Sequence, residues 1–264
     1  MFDILTTMVS SWARNRQILY GGGVLLFFFV IIAPIVFVSM YEPASCFDGK
    51  LNQEETDIDR GGPCQLLDER LLQPHAVLWS RAFPVRDGFY NAVTYIENPN
   101  QGAGVYDAAY QFKLYDEKNI LIAERFGRVP VFSGKVFPIF ESRIDTGNRV
   151  PVRTFFSFVS DFTWERMDDP TIGISIQNER ISALDTAPRI DAVMHNNTVL
   201  AQDDIVVIAT LFDSVGNAIA SSRTLVERIT PNEEVAIAFT WPRPFTSEVA
   251  RVDIVPLALP KRSK

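Results

Sequence analysis

Phe112-Lys-Leu-Tyr-Asp-Glu-Lys-Asn-Ile-Leu-Ile-Ala123 and Ala209-Thr-Leu-Phe-Asp-Ser-Val-Gly-Asn-Ala-Ile-Ala220 align without a gap. In each copy an apolar strand runs to an aromatic residue, Tyr115 or Phe212, and an aspartate follows before a second apolar strand returns. Asp116 or Asp213 can close an Asx turn, and Asn119 or Gly216 can accept a positive φ, so local chemistry alone predicts a β-hairpin twice. Upstream, Glu97-Asn98 aligns with His195-Asn196 after a one-residue shift. Two copies of one β fold are therefore expected.

The flanking sequence agrees. Tyr110, Phe112 and Leu114 share one face of a strand while Gln111 and Lys113 take the other, and Val235, Ile237, Phe239 and Trp241 alternate with Ala236, Ala238 and Thr240. Shorter runs at 92–96, 120–123, 136–140, 154–158, 190–194, 205–212 and 252–255 recur at intervals typical of antiparallel sandwiches. A first β-sandwich is expected over 72–165 and a second over 171–259, followed by a basic tail at 260–264. Asp168-Asp169-Pro170 joins the two and is short enough to limit their swing. The first domain carries more aromatic residues than a small sandwich core takes. Its segment Phe126-Gly-Arg-Val-Pro-Val-Phe132, beyond the hairpin, is too apolar for a free loop. Phe126, Val129, Val131 and Phe132 are expected to form a contact surface for the second domain or a partner.

The Phe112-x-Leu114-Tyr115-Asp116 run resembles the FxLYD family of small immunoglobulin-like β-sandwiches, found in secreted and membrane-anchored bacterial proteins. Leu211-Phe212-Asp213 is a looser match. The resemblance implies an all-β ectodomain of two tandem immunoglobulin-like antiparallel sandwiches in a single-pass bacterial envelope protein, and it carries no catalytic residue across.

Nearer the amino terminus, Gln17 to Tyr41 contains no charge, against about twenty apolar residues needed to span a bilayer. A transmembrane helix over 17–41 is expected, with the lipid bilayer as its partner. Arg14 and Arg16 precede it while Glu42, Asp48, Glu54 and Glu55 follow, which puts residues 1–16 in the cytoplasm and the bulk of the chain outside the plasma membrane. Phe2, Leu5, Val9 and Trp12 recur at helical spacing, so 1–16 is either a short interfacial helix or a plain tail. A cleaved signal peptide is disfavoured by the length of the apolar core and by Met40-Tyr41-Glu42 as a cleavage context. Lipidation at Cys46 after Ala44-Ser45 is disfavoured by Pro43.

Residues 42–71 read as an acidic stalk loop. Cys46 and Cys64, the two cysteines of the chain, lie on the side where disulfides persist and are expected to form one bridge. Closing that loop of about nineteen residues is worth about 3 kcal/mol on the chain-entropy model. Asp48, Asn52, Glu55, Asp57 and Asp59, with Gly49, Gly61 and Gly62 among them, supply hard oxygen donors and permissive backbone for calcium as a cofactor. Their spacing is not that of an EF-hand, and a hydrated acidic linker is the other reading. The loop resembles a bacterial surface motif, Cys-x-Asp-Gly-x-x-Asn-x-x-Glu-x-x-x-Asp-Cys-Gly-Gly-x-Cys-x-x-Cys. It departs from that motif at Arg60 and Leu67, which stand where the motif has its second and fourth cysteines.

The formal net charge of −7 argues against nucleic acid as a partner. Only His75 and His195 are available to a catalytic triad. The pairs Asp168-Asp169 and Asp203-Asp204 are adjacent in the sequence, unlike glycosidic carboxylates, which face each other across a cleft. The expectation is a non-enzymatic, membrane-anchored module that meets an envelope protein or surface polymer. Its rivals are an accessory subunit of a secretion, pilus or wall complex contacting through its helix, and an enzyme.

Overall fold

The computed structural model describes residues 11–41 and 44–258; the expectations for residues 1–10 and for the tail at 260–264 lie outside the described residues. Helix α1 spans Ser11–Met40, with Pro34 inside it. Thirty residues give a length of about 45 Å. It is apolar on every side from Gln17 onward, and its most apolar stretch is not buried against the rest of the chain. A core helix of a soluble domain would bury such a surface. By length and composition α1 can cross a membrane.

After α1 the described chain is β apart from one 3₁₀ turn at Glu69–Leu71. The first half contains β1 (Ala76–Arg86), β2 (Phe89–Asn98), β3 (Ala103–Tyr115), β4 (Leu121–Val131), β5 (Lys135–Asp145), β6 (Arg153–Phe158) and the short β7 (Glu165–Arg166). They form sheets of order β1-β2-β5 and β4-β3-β6, with β7 paired to the start of β3. The second half contains β8 (Ile174–Ser182), β9 (Arg189–Asn196), β10 (Gln202–Phe212), β11 (Ala218–Ile229), β12 (Glu234–Thr240) and β13 (Arg251–Leu257). Its sheets run β8-β9-β12 and β11-β10-β13. The two orders correspond strand for strand, so the internal repeat is a repeat of topology, and every pairing is antiparallel.

The repeated hairpin has the same mechanics in both copies. Asp116 Oδ1 accepts the N–H groups of Lys118 and Ile120, both at 2.9 Å, and Asp213 Oδ1 accepts those of Val215 and Asn217 at 3.0 and 2.8 Å. Asn119 and Gly216 hold φ of 60° and 85°. A second duplicated device lies where β2 and β9 end. Asn98 and Asn196 are fully buried there; Asn98 Nδ2 donates to Ala103 O and Phe132 O at 2.8 and 2.9 Å, and Asn196 Nδ2 to Leu200 O and Thr230 O at 2.8 and 3.2 Å. Each amide thereby ties the end of its strand to carbonyls of two later segments and is itself satisfied there.

The four sheets stack as four layers, and β10 explains why. Ile205, Val207, Ala209 and Leu211 face the core of the second sandwich, while Val206, Ile208 and Phe212 face the first. This strand is buried on both sides, as its unbroken apolar run requires. Trp79 and Tyr95 meet the Phe212 ring edge-on, with centroids 6.1 and 6.3 Å away, and burial pushes the Tyr95 phenol up to about 12. Around this apolar layer, Arg81 donates to Ala218 O at 2.8 Å, Arg243 pairs with Asp87 at 2.9 Å, and the Arg223 guanidinium lies 5.7 Å from the Phe140 ring centre. The linker is pinned as well: Lys135 Nζ binds Asp169 at 2.7 Å and Thr171 at 2.9 Å.

Part of the surplus of aromatics in the first domain, Trp79 on β1, Tyr95 on β2 and Phe140 on β5, thus lies at the interdomain layer. The expectation for 126–132 needs correction. That segment is the second half of strand β4 and the residue after it, and Val131 and Phe132 belong to the first sandwich's own core, 0% and 2% exposed. Val129 packs partly against the same core, and Phe126 alone stands in solvent, 63% exposed. The surface that meets the second domain lies elsewhere, at Trp79, Tyr95 and Phe140.

Outer strands β1, β4, β5 and β13 carry Pro84, Pro130, Pro138 and Pro256, and β8 is broken by a bulge between Gln177 and Arg180. Such edges resist addition of a further strand.

Candidate functional site

Residues 44–67 form a compact loop closed by the disulfide Cys46–Cys64, with Cα atoms 5.4 Å apart. Asp59 accepts the backbone N–H groups of Asp48 and Gly49 at 3.1 and 3.2 Å. Asp48 in turn accepts Lys50 N at 2.8 Å and Asn52 Nδ2 at 2.9 Å, and the Asn52 hydrogen bond is the main cause that holds its carboxyl below the ordinary value. Glu55 accepts Asn52 N at 3.1 Å. Asp57 pairs with Arg70 at 3.1 Å. Gly62, at φ 48°, has no room for a Cβ, which would stand 2.7 Å from the carbonyl oxygen of Glu54.

The structure therefore brings the five expected calcium ligands into one loop but gives each carboxylate another task. Among the described residues, the one cluster of three candidate ligand groups within 4.8 Å of one another is Cys46, Glu55 and Cys64. The disulfide occupies both of its sulfurs. No three of the carboxylates of Asp48, Glu55, Asp57 and Asp59 come that close together. A cation entering the loop would compete with backbone N–H groups and Arg70 for oxygens already bound.

The loop is also docked. Gln65 O accepts Arg166 N, Gln65 Nε2 donates to Arg166 O, both at 2.8 Å, and Leu67 N donates to Trp164 O at 2.9 Å. The Arg166 side chain donates to Cys64 O at 2.9 Å and to Gly62 O. Leu67, at the position of the surface motif's fourth cysteine, packs against the first core. Asp68 and Arg70 complete the attachment. The Arg70 guanidinium beside Asp68, at 2.8 Å, holds that carboxyl down to about 2. Residues about a hundred positions away thus seat the loop on the first sandwich, which no local spacing could reveal.

A second concave feature of about 270 Å³ opens where the sandwiches meet. Phe83, Pro84 and Asn91 line it from one side, and Trp241, Pro242 and Phe245 from the other. The buried indole N–H of Trp241 has no acceptor within hydrogen-bonding distance.

The two histidines lie apart from both features. His75 packs against the rings of Phe158 and Phe162, 5.1 and 5.0 Å away, where burial lowers its pKa. His195 sits in β9, paired with Ser175 and Glu234. Asp169 is committed to Lys135, and Asp203 to Arg228 at 3.1 Å.

No protein-family model and no curated protein matches the chain. Solved structures that it resembles include red sea bream transglutaminase, at 8% identity over 73% of this chain and 32% of that one, with a TM-score of 0.23. A glycosyl hydrolase family 2 member from Bacteroides cellulosilyticus is similar at 10% identity over 66% and 29%, with a TM-score of 0.21. The chain spans about a third of the length of these proteins or less. Likeness this distant carries no argument about activity.

Proposed function

We propose that this chain is a non-enzymatic, single-pass envelope protein that holds a rigid two-sandwich block outside the plasma membrane as a structural and interaction module. The observation that carries the reading is the pairing of an apolar, unburied helix with a disulfide-bearing all-β body on its carboxyl side. Water does not tolerate the first element alone, and reducing cytoplasm does not favour the second. Arg14 and Arg16 before the helix support a cytoplasmic amino terminus. The committed hydrogen bonds and ion pairs of the acidic residues support a scaffold over a catalyst. Its partner is an envelope protein or surface polymer that meets the exposed β surface, where Phe126 is the foremost apolar side chain.

The test is to replace residues 18–41 with a generic leucine-rich anchor and crosslink from Phe126 in intact cells. Retention of the same adducts supports display. Their loss, with the protein still in the membrane fraction, indicates a subunit that assembles through its helix.

A further inference from the structure

The disulfide loop is built inside out. Between its cysteines, Glu55 is buried, Asp48, Asp57 and Asp59 are half-buried, and Glu54 is the one exposed acid. The large apolar residues are exposed instead: Phe47 by 84%, Leu51 by 64% and Ile58 by 53%. An ordinary acidic loop has the reverse arrangement, because carboxylates gain from hydration and apolar groups lose by it. The hydrogen bonds from Asp48 and Gly49 to Asp59 join the chain segments that carry Phe47 and Ile58, and the Asn52–Asp48 bond joins the segment that carries Leu51 to the first of them. The segment Gly61 to Leu67 is fastened to the first sandwich, and the disulfide ties Cys46, next to Phe47, to that segment.

The tether is short. Tyr41 N still donates to Phe37 O, so helical bonding runs to Tyr41, and Phe47 follows within at most about 21 Å of extended chain. The Arg14–Met40 stretch is about 40 Å long against an apolar bilayer core of about 30 Å, which carries its end into the headgroup zone.

We propose that Phe47, Leu51 and Ile58 insert into the outer interfacial zone of the bilayer that α1 spans, as a second, monotopic membrane contact. The inference rests on the anchor reading given above. Aromatic and aliphatic side chains partition into that zone, and the exposed Arg60, two residues from Ile58, suits a lipid phosphate. Because the loop is bonded to Arg166 and Trp164, the contact holds the first sandwich against the membrane surface instead of on a swinging stalk.

The experiment places a photoreactive p-benzoyl-phenylalanine at Phe28, Phe47 or Val199 of the full chain in phosphatidylcholine–phosphatidylglycerol vesicles and measures lipid adducts. Val199, 87% exposed on the second sandwich, reports random encounter. Adducts at Phe28 and Phe47 on the order of tenfold above Val199 are expected. Adducts at Phe28 with Phe47 no higher than Val199 overturn the inference and leave the anchor intact. No adduct at Phe28 overturns the anchor reading and this inference with it.

Discussion

Phe212→Ala tests whether the two sandwiches are one block. Phe212 is 4% exposed, its ring touches Trp79 and Tyr95 of the first sandwich, and the Arg251 guanidinium lies 4.1 Å over its face. Truncating a buried phenylalanine costs about 3–5 kcal/mol. In a body of roughly two hundred residues each kcal/mol lowers the melting temperature by about 2–4 °C, so a fall of roughly 6–20 °C is expected. Val215→Ala, at an 83% exposed position on the same hairpin, should stay within about 0.5 kcal/mol of the parent. Because the ring contacts cross the layer, Phe212→Ala and Trp79→Ala should be non-additive by about 0.5–1.5 kcal/mol in urea unfolding followed by circular dichroism. A Phe212→Ala cost below about 1 kcal/mol, or strict additivity with Trp79→Ala, would refute the four-layer reasoning and leave two independent beads.

Asn98→Ala and Asn196→Ala should each destabilise by about 1–3 kcal/mol in the same assay, since each removes two buried hydrogen bonds that join separate segments; near-neutral values would mean that water replaces the amide. Asp68 should titrate near 2 by carbon-detected NMR, and Arg70→Ala should return it toward its ordinary 3.8. With its folded pKa depressed, the pair's contribution is complete above the unfolded value and is lost as pH falls from about 4 through about 2; a midpoint near 4 in the parent would contradict the pairing. Millimolar calcium should leave the melting temperature of the disulfide-intact protein unchanged, because the loop carboxylates are already bound, whereas a rise of more than about 2 °C would restore the ion as a ligand.

Much of the fold could be read from the chain because its signals are local. The Asx turn at Asp116 and Asp213 and the alternation along β3 and β12 depend on neighbours within a few residues, and the structure has both. The interdomain layer was misplaced for a physical reason. A strand buried on both faces loses its alternation, and Ile205 to Phe212 shows that loss, yet an apolar run does not say which surface covers it. The apolar character of segment 126–132 points to packing but does not say against what: Val131 and Phe132 turn into the first sandwich's own core, and Gly127 leaves space for the Tyr110 ring, from which a Cβ there would lie 2.4 Å. In the acidic loop, composition gave the donors but not their direction. Whether a carboxylate faces solvent, a metal or a backbone N–H depends on backbone torsions such as the positive φ of Gln53, Glu54 and Asp59. Arg166, which fastens that loop, carries no signal at all in the one-dimensional pattern.

The central claim, that α1 holds the β block outside the plasma membrane, is tested most directly by thiol labelling in intact cells. Val199→Cys places a thiol on the second sandwich and Asn15→Cys one before the apolar stretch, both at exposed positions. A membrane-impermeant maleimide is expected to label Val199→Cys in unbroken cells and Asn15→Cys only after permeabilisation. Labelling in the opposite order, or labelling of both only after lysis with the chain in the soluble fraction, would contradict the account.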